Sequence, residues 1–308
     1  MEIENTLAFH NPELIEEWHP FLNGDKTPYN TSYGSGYKAW WILHYKDIRT
    51  GKEFCFEWKS AVYHRSKGEK CPYLSGKKIY VGFNDFASIC PELSKQFNSK
   101  KNKGLTAEEI FAFSNKKYWW IYPYDDIDTG KHFDFEWEAT PASRIANQGC
   151  PFLSNQRLWK GFNDLKTRYP RIASEWNYKK NKNKPEDYMP NSKAKVWWLY
   201  PYYNPVTCEH IDFEWEAKIT NRVQDNGGCP FLSNNAVWEG FNDLATKRPD
   251  LALEWDYKKN HKENPTTITL YSNKKRWWIC PKCNNSWYAS PAKRAMGQEC
   301  KCNSKYLR

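Results

Sequence analysis

Four tryptophan pairs set the frame of this 308-residue chain. They fall at Trp40-Trp41, Trp119-Trp120, Trp197-Trp198 and Trp277-Trp278, so the second tryptophans stand 79, 78 and 80 residues apart. A period held three times over points to an array of similar small modules, each packing mainly on its neighbours, rather than to one large core. Other landmarks keep the period. Cys-Pro recurs at Cys71, Cys150 and Cys229, with Cys300 as the fourth counterpart. Gly-Phe-Asn-Asp starts at Gly82, Gly161 and Gly240. The frame gives repeats at residues 1–81, 82–160, 161–239 and 240–308.

Each repeat opens on a segment that begins with proline and ends on an aromatic: Pro12 to Trp18, Pro91 to Phe97, Pro170 to Trp176 and Pro249 to Trp255. Proline suits a helix start, and the aliphatic and aromatic residues four apart (Leu14 and Trp18, for example) would share a helix face. We expect a short helix at each. A polar connector follows, such as Lys100-Lys101-Asn102-Lys103 or Lys179-Lys180-Asn181-Lys182, and reads as a loop.

The Trp-Trp segments then run into β-hairpin patterns. Trp41 to Trp58, Trp120 to Trp137 and Trp198 to Trp215 each span 17 positions, with alternation in runs such as His132-Phe133-Asp134-Phe135-Glu136-Trp137. In the fourth repeat Trp278 to Trp287 is only 9 positions, and the shortened turn holds Cys280 and Cys283. Zinc and a longer apolar hairpin would then be alternative ways to close one small core. Past the hairpin every repeat carries an arginine (Arg65, Arg144, Arg222, Arg294) before its cysteine. The chain re-enters the next repeat through segments such as Gly161-Phe162-Asn163, where Asn163 is positioned to cap a helix.

Trp-Trp-x-Cys-x-x-Cys, Cys-Pro-x-x-Ser and Gly-Phe-Asn-Asp-Leu-Ala-Thr before Pro-x-Leu-Ala-x-Glu-Trp together resemble a zinc-ribbon or treble-clef repeat family of bacteria, mobile elements and large DNA viruses. The resemblance runs from about Leu7 to Cys302 and is best over 241–302. It implies four zinc-binding cysteines per repeat and nucleic acid as a partner. The first three repeats depart from it. Leu43, Tyr122 and Tyr200 stand where Cys280 does, and Cys-Pro-x-Cys has become Cys-Pro-x-Leu at Leu74, Leu153 and Leu232. The fourth ends Cys300-Lys301-Cys302, a CxC in place of CxxC.

Four thiolates set tetrahedrally suit zinc and leave no open position, so Cys280, Cys283, Cys300 and Cys302 read as one structural zinc site; the bland alternative is two free dithiols or a late-formed disulfide. Lys275, Arg276, Lys282 and Lys301 lie near enough in sequence to offset its charge. Cys71, Cys150 and Cys229 lack a full ligand set, and read as small buried hydrophobes even if Cys55 or Cys208 approaches them. The repeated arginine either contacts phosphate or pairs with a carboxylate such as Glu57, Glu136 or Glu214, the pairing being the simpler reading. Basic residues beside aromatics make Lys116, Lys117, Lys179, Lys180, Lys258, Lys259, Lys274, Lys275 and Arg276 the candidate nucleic-acid contacts, against the alternative of solvated loops.

The remaining classes are narrowed by composition. Net charge is +10, which fits an acidic partner. Aromatics make up 17% of the chain, far from a disordered composition. No apolar run is long enough for a membrane span. Met1 to Asn5 shows no secretory pattern, so a reducing, cytoplasmic setting is expected. No His-Glu-x-x-His, phosphate loop or repeated carboxylate cluster marks an enzyme. The expected fold is α+β: a tandem, elongated or curved array of four treble-clef or zinc-ribbon-like modules, with zinc lost from the first three. The expected function is non-catalytic nucleic-acid binding. The alternative is a protein-interaction scaffold, such as a phage or mobile-element factor that binds and inhibits a host or defence protein.

Overall fold

The computed structural model describes residues 2–224 and 227–302, and the chain divides between Ser154 and Asn155 into two compact units. Each unit carries two antiparallel hairpins. In the first unit β1 (Lys38–Lys46) pairs with β2 (Glu53–Ala61), and β3 (Tyr118–Asp126) with β4 (Lys131–Ala139). In the second, β5 (Lys195–Asn204) pairs with β6 (Glu209–Lys218), and the shorter β7 (Arg276–Ile279) with β8 (Ser286–Ala289). Together with one-turn helices, these make four α+β modules of one design. Among the described residues no helix is long and apolar enough to cross a membrane.

The register follows from the tryptophans. Trp41 faces Trp58, Trp120 faces Trp137, Trp198 faces Trp215 and Trp278 faces Trp287. Successive side chains of a strand point to opposite faces. The second tryptophan of each pair therefore turns inward and is fully buried, while the first is half-buried on the other face. Burial of an indole needs a partner for its N–H. Each inner tryptophan finds one in a carbonyl of the facing strand: Ser60, Ala139, Ala217 and Ala289, at 3.0, 2.9, 3.1 and 2.9 Å.

The free edge of each hairpin is covered by the segment before it. The expected helices form at each proline, as the 3-10 turn Pro12–Leu14 and the α turns Pro91–Ser94, Pro170–Ala173 and Pro249–Ala252. They stop before the aromatic, however. Trp18 bridges Trp41 as a short extra strand instead of sharing a helix face with Leu14, and Phe97, Trp176 and Trp255 do the same. The reason is hydrogen bonding: Ile42 donates to the Glu17 carbonyl at 2.8 Å, and His19 to the Trp40 carbonyl at 3.1 Å. These bonds satisfy edge groups that would otherwise be open. The paired rings meet edge to face, with Trp255 and Trp278 centroids 5.3 Å apart.

The connectors are pinned by one asparagine each. Asn102 accepts from the Trp119 N–H at 3.0 Å and donates to the Trp119 carbonyl at 2.9 Å. Asn23, Asn181 and Asn260 hold Trp40, Trp197 and Trp277 the same way. A side-chain amide thus stands in for a neighbouring strand, and fixes the basic connector against the outer tryptophan.

Within each unit the packing seam between its two modules runs through Gly-Phe-Asn-Asp. Phe83 packs on the first core and Phe241 on the third, whereas Phe86 and Leu244, just beyond, are fully buried. Asn163 does not cap a helix. It is buried with its side chain folded back to the Trp159 N–H at 2.7 Å and the Arg157 carbonyl at 2.9 Å, and Asp164 caps instead, accepting from the Thr167 N–H at 2.9 Å. A carboxylate offers two acceptors and favours the positive end of a helix.

Candidate metal centre

In the fourth module the hairpin is cut short by a tight turn. The Asn284 N–H donates to the Cys280 carbonyl at 2.8 Å, the Cys280 N–H donates to the Asn285 carbonyl at 3.1 Å, and Asn284 sits at φ 57°. Asparagine tolerates that left-handed conformation better than most residues. The turn aims the N–H groups of Cys283 and Lys282 at the Cys280 sulfur and holds its thiol down to about 7. After the helix Pro291–Ala295 the chain turns at Gly297 and delivers Cys300 and Cys302 to the same place.

The four sulfurs lie within 4.8 Å of one another. Cys280 and Cys302 are 3.6 Å apart, Cys283 and Cys300 3.9 Å. Zinc–sulfur bonds of about 2.3 Å in a tetrahedron imply sulfur–sulfur separations of about 3.8 Å, so the donor set fits zinc. The CxC spacing is no obstacle, because both of its sulfurs reach the cluster. Among the described residues this is the only group of three or more His, Cys, Asp or Glu side chains placed to share an ion.

The charges expected to offset the thiolates are arranged differently from the sequence reading. Arg276 is buried and pairs with Glu263, which fixes it away from solvent and phosphate alike. Lys282 pairs with Glu299 at 3.5 Å, and Lys275 lies over the Tyr288 ring at 5.8 Å.

The repeated arginine is structural, but its partner is not Glu57, Glu136 or Glu214. Arg65 ends on Glu17, Arg222 on Glu175 and Arg294 on Glu254, each a residue just ahead of the bridging aromatic. In the second module Arg144 ends on Gln96 at the same position. Each guanidinium is at least 95% buried and lies over both facing tryptophans: Arg144 is 5.2 Å from Trp120 and 5.0 Å from Trp137. The spacing of Glu17, Gln96, Glu175 and Glu254 from their prolines was the available signal. Glu136 and Glu214 are used otherwise, binding Lys101 and Lys180 at 2.5 Å and, through their other oxygens, Asn98 and Asn177.

In the first three modules an aromatic cluster on the lengthened hairpin stands in for a metal as the stabilising core. Phe56, Phe135 and Phe213 are fully buried on the lengthened hairpins. Phe213 lies 4.9 to 5.7 Å from Phe241, Trp238, Phe231 and Tyr202. Phe56 is surrounded likewise by Tyr73, Tyr80 and Phe83. Cys71, Cys150 and Cys229 are buried free thiols, and burial pushes Cys71 and Cys229 up. Cys55 and Cys208 are exposed and unpaired with them.

The candidate nucleic-acid residues fall into two groups. Lys116, Lys117, Lys179, Lys180, Lys258, Lys259, Lys274 and Lys275 are exposed. Of these, Lys180 is bound to Glu214, and Lys274 to Glu263 at 3.0 Å. The connectors also place lysines over the outer tryptophans: Lys101 over Trp119 at 4.4 Å, Lys180 over Trp197 at 4.1 Å and Lys259 over Trp277 at 4.4 Å. In the first module Lys59 of the facing strand lies over Trp40 at 4.9 Å.

A family model described as a probable treble clef zinc finger domain matches the chain four times, over residues 14–77, 93–152, 172–231 and 251–305. No curated protein matches it.

Proposed function

The chain belongs to this treble clef zinc finger family, and from that premise we propose a non-catalytic, zinc-containing repeat protein that engages nucleic acid. One zinc ion would sit on Cys280, Cys283, Cys300 and Cys302 and stabilise the last module; with four protein ligands it leaves no position for substrate. The observation that carries the nucleic-acid reading is the repeated ledge of a lysine ammonium against a half-buried outer tryptophan, at 4.1 to 4.9 Å in all four modules. Such a ledge offers a base a ring to stack on and a phosphate a cation beside it. The net charge of +10 adds long-range attraction.

A second reading has its own support. At the tips of the three long hairpins Ile48, Ile127 and Val206 are 94%, 94% and 89% exposed, and the metal-bearing hairpin is too short to have such a tip. Apolar side chains presented at matching positions suit a protein partner. Gel shifts with duplex and single-stranded probes separate the readings. Binding that is firm at low salt and falls steeply at moderate salt supports nucleic acid; absence of binding at low salt sinks that reading.

A further inference from the structure

The second module differs from the others at one charge. Arg65, Arg222 and Arg294 each end on a carboxylate. Arg144 instead receives two neutral acceptors, the Gln96 side-chain oxygen and the Gln148 carbonyl, the latter at 2.6 Å. Only 2% of Arg144 is exposed, and among the described residues no acid pairs with it. Glu92, on the adjoining helical turn, is bound to Lys95 at 2.7 Å. A guanidinium stays charged at neutral pH, so this is a buried cation without a counter-ion. Burial pulls its pKa down, and the one group that acts against that is the neighbouring Cys150 thiol.

Arg144 and Gln96 form part of the wall of a cleft of about 560 Å³, with Tyr122, Asn147, Cys150 and Ser154. In sequence register Tyr122 occupies the position of Cys280, and Cys150 that of Cys300. The cleft is therefore the second module's version of the metal position. The matching cleft of the first module is smaller, about 350 Å³, and already contains Glu17 beside Arg65. Among the described residues the Gln96 side chain makes its hydrogen bond through the oxygen, which leaves its NH2 to donate.

We infer that the second module binds a small oxyanion, a phosphate or a carboxylate, in the cleft bounded by Arg144, Gln96 and Cys150. The anion supplies from the cleft the negative charge that the other modules carry on Glu17, Glu175 and Glu254, beside the Gln96 amide that holds their position here. It faces the guanidinium across a partly desolvated wall, where the attraction is stronger than in water, and accepts from the Gln96 amide. This site is separate from the tryptophan ledges, and does not depend on nucleic-acid binding.

The test is calorimetric titration of the full chain with inorganic phosphate and, separately, acetate at constant ionic strength, comparing wild type with Gln96→Glu. That variant copies the other three modules, so it is expected to fold. Wild type should bind one anion, with the tighter of the two probes identifying its class, and Gln96→Glu should weaken binding at least about tenfold. In anion-free buffer Gln96→Glu should melt above wild type, and saturating phosphate or acetate should close the gap. Equal binding by both proteins, or none by wild type, overturns the proposal. So does rapid alkylation of Cys150 at neutral pH in a wild type that binds neither probe, since the thiolate would then be the counter-ion.

Discussion

The Arg222 guanidinium ends on the Glu175 carboxylate and lies over the rings of Trp198 and Trp215, at 5.1 and 5.2 Å. One side chain thereby ties the segment before the hairpin, the hairpin itself and the helix after it. The same tie recurs in the fourth module, with its four clustered cysteines, through Arg294 and Glu254. The tie is thus common to the module with clustered cysteines and to modules built on rings, with Gln96 in place of the acid in the second.

Arg222→Leu should therefore be strongly destabilising, by about 3–5 kcal/mol, because it leaves Glu175 largely desolvated with no partner. Burial already pushes the Glu175 carboxyl above its ordinary value. Adding Glu175→Leu should recover much of the loss, since a pair replaced by apolar groups costs less than a pair broken. Urea unfolding followed by tryptophan fluorescence measures both. A double variant no more stable than Arg222→Leu would show that the packing over the tryptophans, not the ion pair, is what matters.

Phe213→Ala removes the ring at the centre of the third module's aromatic cluster. The cost should be about 3–5 kcal/mol, the range for emptying a buried phenylalanine site, read as a fall in the third module's melting temperature. An equal substitution at Phe21, which is 84% exposed, should change stability by less than about 0.5 kcal/mol.

Chelation should act on the last module alone. Metal analysis of the purified chain should return about one zinc, and Cys283→Ser should lower it toward zero. Hydrogen exchange should then rise across β7 and β8 while β1 to β6 keep their protection, because among the described residues the first three modules hold no cluster of metal-ligating side chains. Three or four zinc ions per chain would mean that Cys71, Cys150 and Cys229 take part in sites of their own.

Much of this was legible in the sequence, and for a physical reason. Hairpin formation is a local property, signalled by alternation and turn length, so the constant 17-position spacing marked three hairpins of one kind, and the fold adds that Trp41 and Trp58 face each other. The four cysteines were legible because metal geometry constrains spacing. Partners of charges were not. Glu136 and Glu214 looked like arginine partners, but they stand 35 and 34 residues from the lysines that claim them, and only the folded connector brings those lysines near. Arg276 looked like a phosphate contact in a basic run, yet its place on β7 turns it inward to Glu263. The aromatic that follows each proline helix kept helical spacing and still became an edge strand, because tertiary hydrogen bonds outweigh a one-turn propensity.

Pairing of charges also ranks the lysines that would meet nucleic acid. Lys180 is already held by Glu214 at 2.5 Å, whereas its neighbour Lys179 is exposed and, among the described residues, has no direct ion pair, only a longer-range attraction to the same carboxylate. A phosphate must displace Glu214 to reach Lys180 fully, but reaches Lys179 without breaking a direct contact. Lys179→Ala should therefore weaken binding more than Lys180→Ala, and should reduce the slope of log affinity against log salt by about 1. Glu214→Gln keeps an acceptor for Asn177 at its 2.8 Å contact while releasing Lys180, and should strengthen binding. Trp197→Ala tests the other half of the ledge: loss of a stacked base should cost about 1–3 kcal/mol on single-stranded probes. Fluorescence anisotropy over a salt series reads all four variants. Should Glu214→Gln bind no better than wild type and Trp197→Ala bind no worse, the ledges are scaffold, and the exposed hairpin tips at Ile48, Ile127 and Val206 become the surface to test next.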